Sequence, residues 1–222
     1  MISEHWKTQP RDERGRWTDE QGFFRTNTSY ADIIKSTTLE EGEKKKPITQ
    51  ITDEAIESVP KVCVDGFTDE QNTFVQNQHK QLLRYAKDNN GSKEVAFVFR
   101  KDLSDKTVVV GNDDGVELGY GLTGKGDNLF IMHNHPRNCG YSDTDIVDFI
   151  RDGDLKHLSI VKNNGEIEII SKLSSFSKKR MIAQFRRQYK NYVKTGADAE
   201  ISKAVNKLLE KSTEDLLWIK SK

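Results

Sequence analysis

Two histidines two residues apart, His133 and His135, followed after a short loop by Ser142 and Asp145, are the side chains of this sequence best placed to do chemistry. They belong to the stretch Phe130-Ile131-Met132-His133-Asn134-His135-Pro136, which continues through Arg137-Asn138-Cys139-Gly140-Tyr141 to Ser142-Asp143-Thr144-Asp145-Ile146. Leu129 to Met132 is a short apolar run of strand formers and reads as a buried strand entered from a Gly-rich loop. Side chains two apart on a strand share a face. His133 and His135 therefore present two imidazoles side by side at the strand's exit, which Pro136 closes. Ser142-x-x-Asp145 ahead of Ile146, Val147, Phe149 and Ile150 has the serine-and-acid spacing of a helix N-terminal capping pair. The first turn of that helix can bring Asp145 back toward the histidines. Two neutral imidazoles and one carboxylate, with a fourth position left to water, form the ligand set of a catalytic zinc ion. Each half of the pattern has an ordinary structural explanation; their close succession in strand–loop–helix order is what points to a metal.

The flanking sequence supplies elements that could hold such a site. From Phe67 the chain becomes periodic. Thr68-Asp69-Glu70-Gln71 has the pattern of a capped helix start, Val75, His79, Leu82 and Ala86 follow at helical spacing, and Asn89-Asn90-Gly91 ends the helix. His79 on that apolar face reads as a satisfied, half-buried histidine rather than a ligand. Glu94 to Phe99 and Thr107 to Val110 are strands by composition, and Gly111 to Gly115 reads as a turn before a third extended piece, Val116 to Tyr120. Beyond the motif, Ile146 to Asp152 predicts a brief helix. His157 to Val161 and Ile167 to Ile170, on either side of Asn163-Asn164-Gly165, predict a hairpin. His157 reads as structural or surface. The tail from Ser177 to Lys222 is helical in pattern, with one apolar stripe at Ile182, Phe185, Tyr189 and Val193, a second at Ile201, Val205, Leu208 and Leu209, and a last apolar patch at Leu216-Leu217-Trp218.

Charged residues make up 32% of the chain and the hydrophobic set only 34%, so part of it should be extended or solvated. The 35 basic and 35 acidic side chains cancel, and global charge therefore points to no nucleic-acid or membrane partner. Cys63 and Cys139 make no disulfide framework, no apolar run is long enough to span a bilayer, and Met1-Ile2-Ser3-Glu4-His5 opens no signal peptide. A soluble cytoplasmic protein is the expectation.

The sequence His-Asn-His-Pro, a short loop and then Ser-x-x-Asp resembles the JAMM (MPN-type) metalloproteases, and within them the RadC-like branch, over residues 67–172. The resemblance implies an α/β, cytidine-deaminase-like JAB/MPN fold, a central mixed sheet flanked by helices. It implies zinc held by His133, His135 and Asp145, with Asp143 as the second choice for the carboxylate. It also implies an upstream glutamate as general base, matched by Glu94, with Glu117 the competing candidate, and Ser142 as donor to a developing oxyanion. The activity implied is hydrolysis of a peptide or isopeptide bond in a protein substrate.

Residues 1–60 show little period, interleave Trp6, Trp17, Phe23 and Phe24 with charges, and read as an extended or partly disordered recognition segment for a protein partner. The string Gln9 to Trp17 is similar to segments of phage head proteins and their neighbours, so a phage or a phage-infected bacterial cell is the expected setting. Residues 176–222 form a helical tail whose first helix carries Lys178, Lys179, Arg180, Arg186, Arg187, Lys190 and Lys194 with no acid among them. That tail supports the rival expectation of a non-enzymatic binding module engaging nucleic acid or a protein partner. The literal His-Asn-His is not the HNH nuclease motif, whose three residues are spread over a ββα unit. A zinc base deaminase needs His-x-Glu and a later Pro-Cys-x-x-Cys, which two distant cysteines cannot supply. Cys139 could join the metal only by closing its shell, which would make the site structural.

Overall fold

The strand carrying the two histidines is apolar on both sides, and the fold is built to bury it. A computed structural model describes residues 46–100, 102–113, 115–116 and 129–221. The expected N-terminal segment up to residue 45, the third extended piece beyond Val116, and Glu117 lie outside the described residues. In chain order the described elements are α1 (Asp53–Ser58), α2 (Asp69–Asn90), β1 (Val95–Arg100), β2 (Thr107–Val110), β3 (Leu129–His135), α3 (Asp143–Arg151), β4 (Leu155–Lys162), β5 (Ile167–Lys172), α4 (Lys178–Tyr192), α5 (Asp198–Lys211) and β6 (Leu216–Lys220).

The strands form one mixed six-stranded sheet in the order β2-β1-β3-β4-β5-β6. Only β3 and β4 run parallel, with α3 as their crossover; every other neighbouring pair is antiparallel. The period of two in β3 divides its side chains between two apolar layers. Phe130 and Met132 pack with Val75, Leu82 and Leu83 of α2, while Leu129 and Ile131 pack with Ile146, Phe149 and Ile150 of α3 and with Phe185 and Leu208 of α4 and α5. His133 and His135 continue the second series, toward α3.

Local chemistry explains where the helices begin and end. Thr68 and Gln71 form a reciprocal capping box at the start of α2, and Gly91 ends it in the left-handed conformation. Asn163-Asn164-Gly165 turns β4 into β5. Gly165 has φ +91°, and a Cβ there would meet Ala55 O and Ser58 Oγ of α1 at 2.5 Å, so the turn lets α1 lie directly on it.

Three differences from the sequence reading have physical causes. Residues 46–60, expected as the end of an extended segment outside the domain, are part of it: Ile51, Ile56 and Val59 are buried in the α2-side core. The C-terminal tail is not helical throughout, because Leu216–Lys220 adds a sixth strand by pairing with β5. A buried carboxylate sets this up. Asp215 accepts Arg180 Nε and Nη2, each at 2.7 Å, and Ser177 N at 2.7 Å, which ties the start of α4 to the entry of β6. The tail is also no appendage, since α4 and α5 supply Met181, Phe185, Val205 and Leu208 to the α3-side core. Among the described residues no helix is long and apolar enough to cross a membrane.

His79 is fully buried rather than half-buried, with Nε2 2.6 Å from Ser159 Oγ. Burial, only partly offset by donation to the Val75 backbone, lowers its pKa to about 4. The unfolded chain therefore binds the proton more readily between pH 6.5 and 4, and stability falls as pH drops through that window. By the shift, the loss reaches about 3 kcal/mol at pH 4. Denaturant titrations at pH 7 and pH 4 should show His79→Gln losing correspondingly less stability than wild type over this interval; equal losses would mean His79 does not carry the dependence.

Candidate metal centre

Beyond Met132 the strand β3 changes from apolar to polar on both faces, and two hydrogen-bond systems take over from packing. On the α3 side, His133 Nε2 and His135 Nε2 approach to 2.9 Å. Both rings are buried, at 3% and 5% exposure, so their nitrogens must be served by neighbouring groups rather than by bulk solvent. His135 Nδ1 lies 3.1 Å from the Cys139 carbonyl oxygen and 3.4 Å from Cys139 Sγ, which turns its Nε2 inward.

The third group arrives from the N-terminus of α3. Ser142 Oγ accepts the Asp145 amide at 3.0 Å, while Asp145 Oδ2 accepts Ser142 N at 2.8 Å and the Ser142 hydroxyl at 2.7 Å. This capping box fixes the carboxylate, and with it Asp145 Oδ1 stands 3.4 Å from His133 Nε2 and Oδ2 stands 3.5 Å from His135 Nε2. Glu94, buried just ahead of β1, places Oε1 4.0 Å from His133 Nε2. Glu94, His133 and His135 each offer a donor atom, all within 4.8 Å of one another.

The structure therefore brings together His133, His135, Asp145, Ser142 and Glu94. Asp143 is directed elsewhere, its Oδ2 accepting the Tyr189 hydroxyl at 3.3 Å. Cys139 stands behind His135 on the Nδ1 side, away from the Nε2 atoms that converge. The hydroxyl of Ser142 is committed to Asp145, so an oxyanion role would first require it to release that carboxylate.

No protein-family model, no curated protein and no solved structure matches the chain. What the centre can do is decided by its own donor atoms. Ligands about 2.0–2.1 Å from a tetrahedral metal ion stand about 3.3–3.4 Å from each other. The two His–Asp separations, one to each carboxylate oxygen, are close to that length, and the imidazole pair needs to open by only roughly 0.4 Å to reach it. Glu94 Oε1 lies farther out, 4.0 Å from His133 Nε2, and with the two histidines makes a second set of three donors that could hold an ion. Nitrogen and carboxylate oxygen donors suit a divalent transition-metal ion.

Sequence reasoning missed two residues here. Alternation places Asn134 on the α2 face with Phe130 and Met132, and it is fully buried, as is Asn163 in the β4–β5 turn. A carboxamide at a core strand position needs partners for all its polar atoms, and that was the available signal. Arg137, the other, is a rim residue: Nε donates to Lys46 O at 2.7 Å and Nη1 to Asp113 O, joining the segment before α1 to the turn after β2.

Burial opposes a charged His135, but the Asp145 carboxylate, with Cys139 adding to it, outweighs burial and raises the imidazole well above its ordinary value. In the other direction, burial would raise Asp145, yet His133 and His135 hold it well below the usual carboxylate range. A metal ion must displace the His135 proton, so zinc binding at pH 7 should release about one proton per ion, and affinity should rise with pH until the raised value is passed. Calorimetric titration in two buffers of different ionisation enthalpy measures this directly; an enthalpy independent of buffer would refute it.

Proposed function

We propose that the protein is a zinc-dependent hydrolase of the JAMM type, of the RadC-like branch with its cytidine-deaminase-like fold, cleaving a peptide or isopeptide bond in a protein substrate. The observation that carries this reading is the convergence of His133, His135 and Asp145, with the two Nε2 atoms 2.9 Å apart and one carboxylate oxygen 3.4 or 3.5 Å from each, and Glu94 at 4.0 Å from His133. The order of elements supports it as well, since the His-x-His strand and the Ser-x-x-Asp helix belong to one parallel β3–α3–β4 unit.

Bound by the two imidazoles and the aspartate, zinc would supply Lewis acidity that brings the ionisation of water from about 16 toward 7. Glu94 accepts the proton of the attacking water and passes it to the leaving amine, the two halves of general acid–base catalysis. His135 is oriented by the Cys139 carbonyl, and Asp145 by Ser142, so neither ligand has rotamer freedom to lose when it engages. Ser142 is the candidate donor to the developing oxyanion only if its hydroxyl leaves Asp145 Oδ2, after which its backbone amide alone would orient that carboxylate; such donors are worth a few kcal/mol where they have been removed.

Elemental analysis should find about one zinc per chain, lost in the His133→Ala/His135→Ala double variant. A peptide library carrying both main-chain and lysine-isopeptide bonds, read by mass spectrometry, should be cleaved by wild type. Glu94→Gln should retain zinc and lose at least 10²-fold in rate, within the range for a general base. Full activity in that variant would move the base to Glu117 or sink the mechanism; absence of zinc from wild type would sink the reading itself.

A second reading, a binding module, is favoured by one observation. On α4 the exposed Lys179, Arg187 and Lys190 have no ion-pair partner among the described residues, and α4 contains no acid. If that face binds nucleic acid, a labelled oligo-dT should bind with an affinity that falls steeply with salt, and Lys179→Gln/Arg187→Gln/Lys190→Gln should abolish binding. No binding at low salt removes this reading.

A further inference from the structure

Asn134, the residue between the two histidines, is proposed here to be the positioning residue that sets Glu94 against the metal-binding pair. We infer this from the way the sheet opens at the centre, and the inference rests on the role proposed above for Glu94.

The backbone ladder between β1 and β3 ends at Ala96↔His133, whereas the ladder between β3 and β4 runs on to His135↔Lys162. One step past Ala96, the backbone groups of β1 that face β3 need another partner, and the Asn134 side chain provides it. Its Oδ1 accepts Val95 N at 2.8 Å, and its Nδ2 donates to Lys93 O at 3.2 Å. Residues 93 and 95 are the two neighbours of Glu94. On the opposite edge, Glu94 N donates to Asn112 O at 3.0 Å and Glu94 O accepts Gly111 N at 2.9 Å. The backbone around Glu94 is thus gripped from both sides, by the turn after β2 and by a carboxamide planted between the two candidate ligands.

The carboxamide itself cannot turn. The second hydrogen of Asn134 Nδ2 goes to Asn163 Oδ1 at 2.8 Å, and Asn163 Nδ2 is spent on Thr49 O at 2.7 Å and Ser92 O at 2.9 Å. Asn134 and Asn163 are both fully buried, so a flip of either amide would set donor against donor or acceptor against acceptor with no water to substitute. Because the Asn134 backbone is continuous with His133 and His135, any shift of the imidazoles carries its grip on residues 93 and 95 along. The histidines and Glu94 therefore move as one body, although they stand on different strands. No apolar side chain at this position could do this.

A misplacement of about 1 Å in a reacting group can lower a rate about 10²-fold. The test uses zinc-loaded, full-length Asn134→Ala, with Asn134→Ser as the milder truncation should the alanine variant fail to fold. A crystal structure of the variant should show the His133, His135 and Asp145 donors unmoved and Glu94 Oε1 displaced from His133 by more than the wild-type separation. On the same peptide library, kcat should fall at least 10²-fold at nearly unchanged KM and zinc content. Most tellingly, the loss should vanish when the substitution is made in a Glu94→Gln background, because a residue acting only through Glu94 has nothing left to act on. Glu94 unmoved in the crystal, or losses that simply multiply, would overturn the proposal. If wild type cleaves nothing, the hydrolase reading fails, and the crystallographic displacement of Glu94 still decides the role of Asn134.

Discussion

A carboxylate and two imidazoles converge within 3.5 Å at the end of a buried strand, and this convergence is the constraint that the surrounding structure has to satisfy. Groups of this kind would be better solvated apart. Two of the three have a second partner on the side away from the centre: Cys139 O for His135, and Ser142 for Asp145. The centre is preorganised by backbone and capping hydrogen bonds, which do not depend on the presence of an ion.

Helix α3 carries much of that burden, and it is fixed at both ends by charge as well as by packing. Asp143 and Asp145 stand in its first turn, where carboxylates complement the positive end of the helix dipole. At the other end Lys172 Nζ donates to Asp152 O and Lys178 Nζ donates to Arg151 O at 2.9 Å. Lys172 is buried against the Phe149 and Phe176 rings, and burial lowers its pKa to about 8. Between these ends, Ile146, Val147, Phe149 and Ile150 are all buried, at about 1.5–3 kcal/mol for each side chain removed from water. The helix can neither slide along β3 nor roll Asp145 away without losing these contacts. α4 and α5 close this layer, and β6 anchors them to the sheet, so the C-terminal residues act on the centre through α3.

The local half of this arrangement was legible in the sequence. The period of two in β3, the capping box at Ser142, the turn at Asn163-Asn164-Gly165 and the helical stripe of α2 are all written in neighbouring residues, and the structure places elements at each of them. What could not be read depends on partners far apart in the chain. Leu216 to Ile219 looks like one more apolar patch until Arg180 captures Asp215 and β5 offers a free edge. Ile51 and Ile56 have no period of their own and acquire their place only by packing on α2 and the β4–β5 turn. Asn134 hides in plain view for the same reason: its neighbours in the sequence are the histidines, while its hydrogen-bond partners are residues 93, 95 and 163.

The loop between the histidines and Asp145 shows how few residues suffice when each is tied down. Six residues, Pro136 to Tyr141, separate His135 from the helix cap. Asn138 takes the left-handed conformation at φ +55°, which asparagine tolerates better than most side chains, and its amide returns to His135 O at 3.2 Å. Its side chain joins Thr49 Oγ1 at 3.0 Å and Asn164 N at 3.1 Å, fastening the loop to the segment before α1 and to the β4–β5 turn. Tyr141 then buries its ring in the α3-side core, with its hydroxyl among Leu158 O at 2.8 Å and Glu168 O at 2.9 Å. A longer loop would reach α3 with slack, and slack would let the capping box drift from the strand. The short loop instead spends its conformational freedom on these fixed contacts, and Asp145, rather than Asp143 two residues earlier, is the acid that faces the histidines.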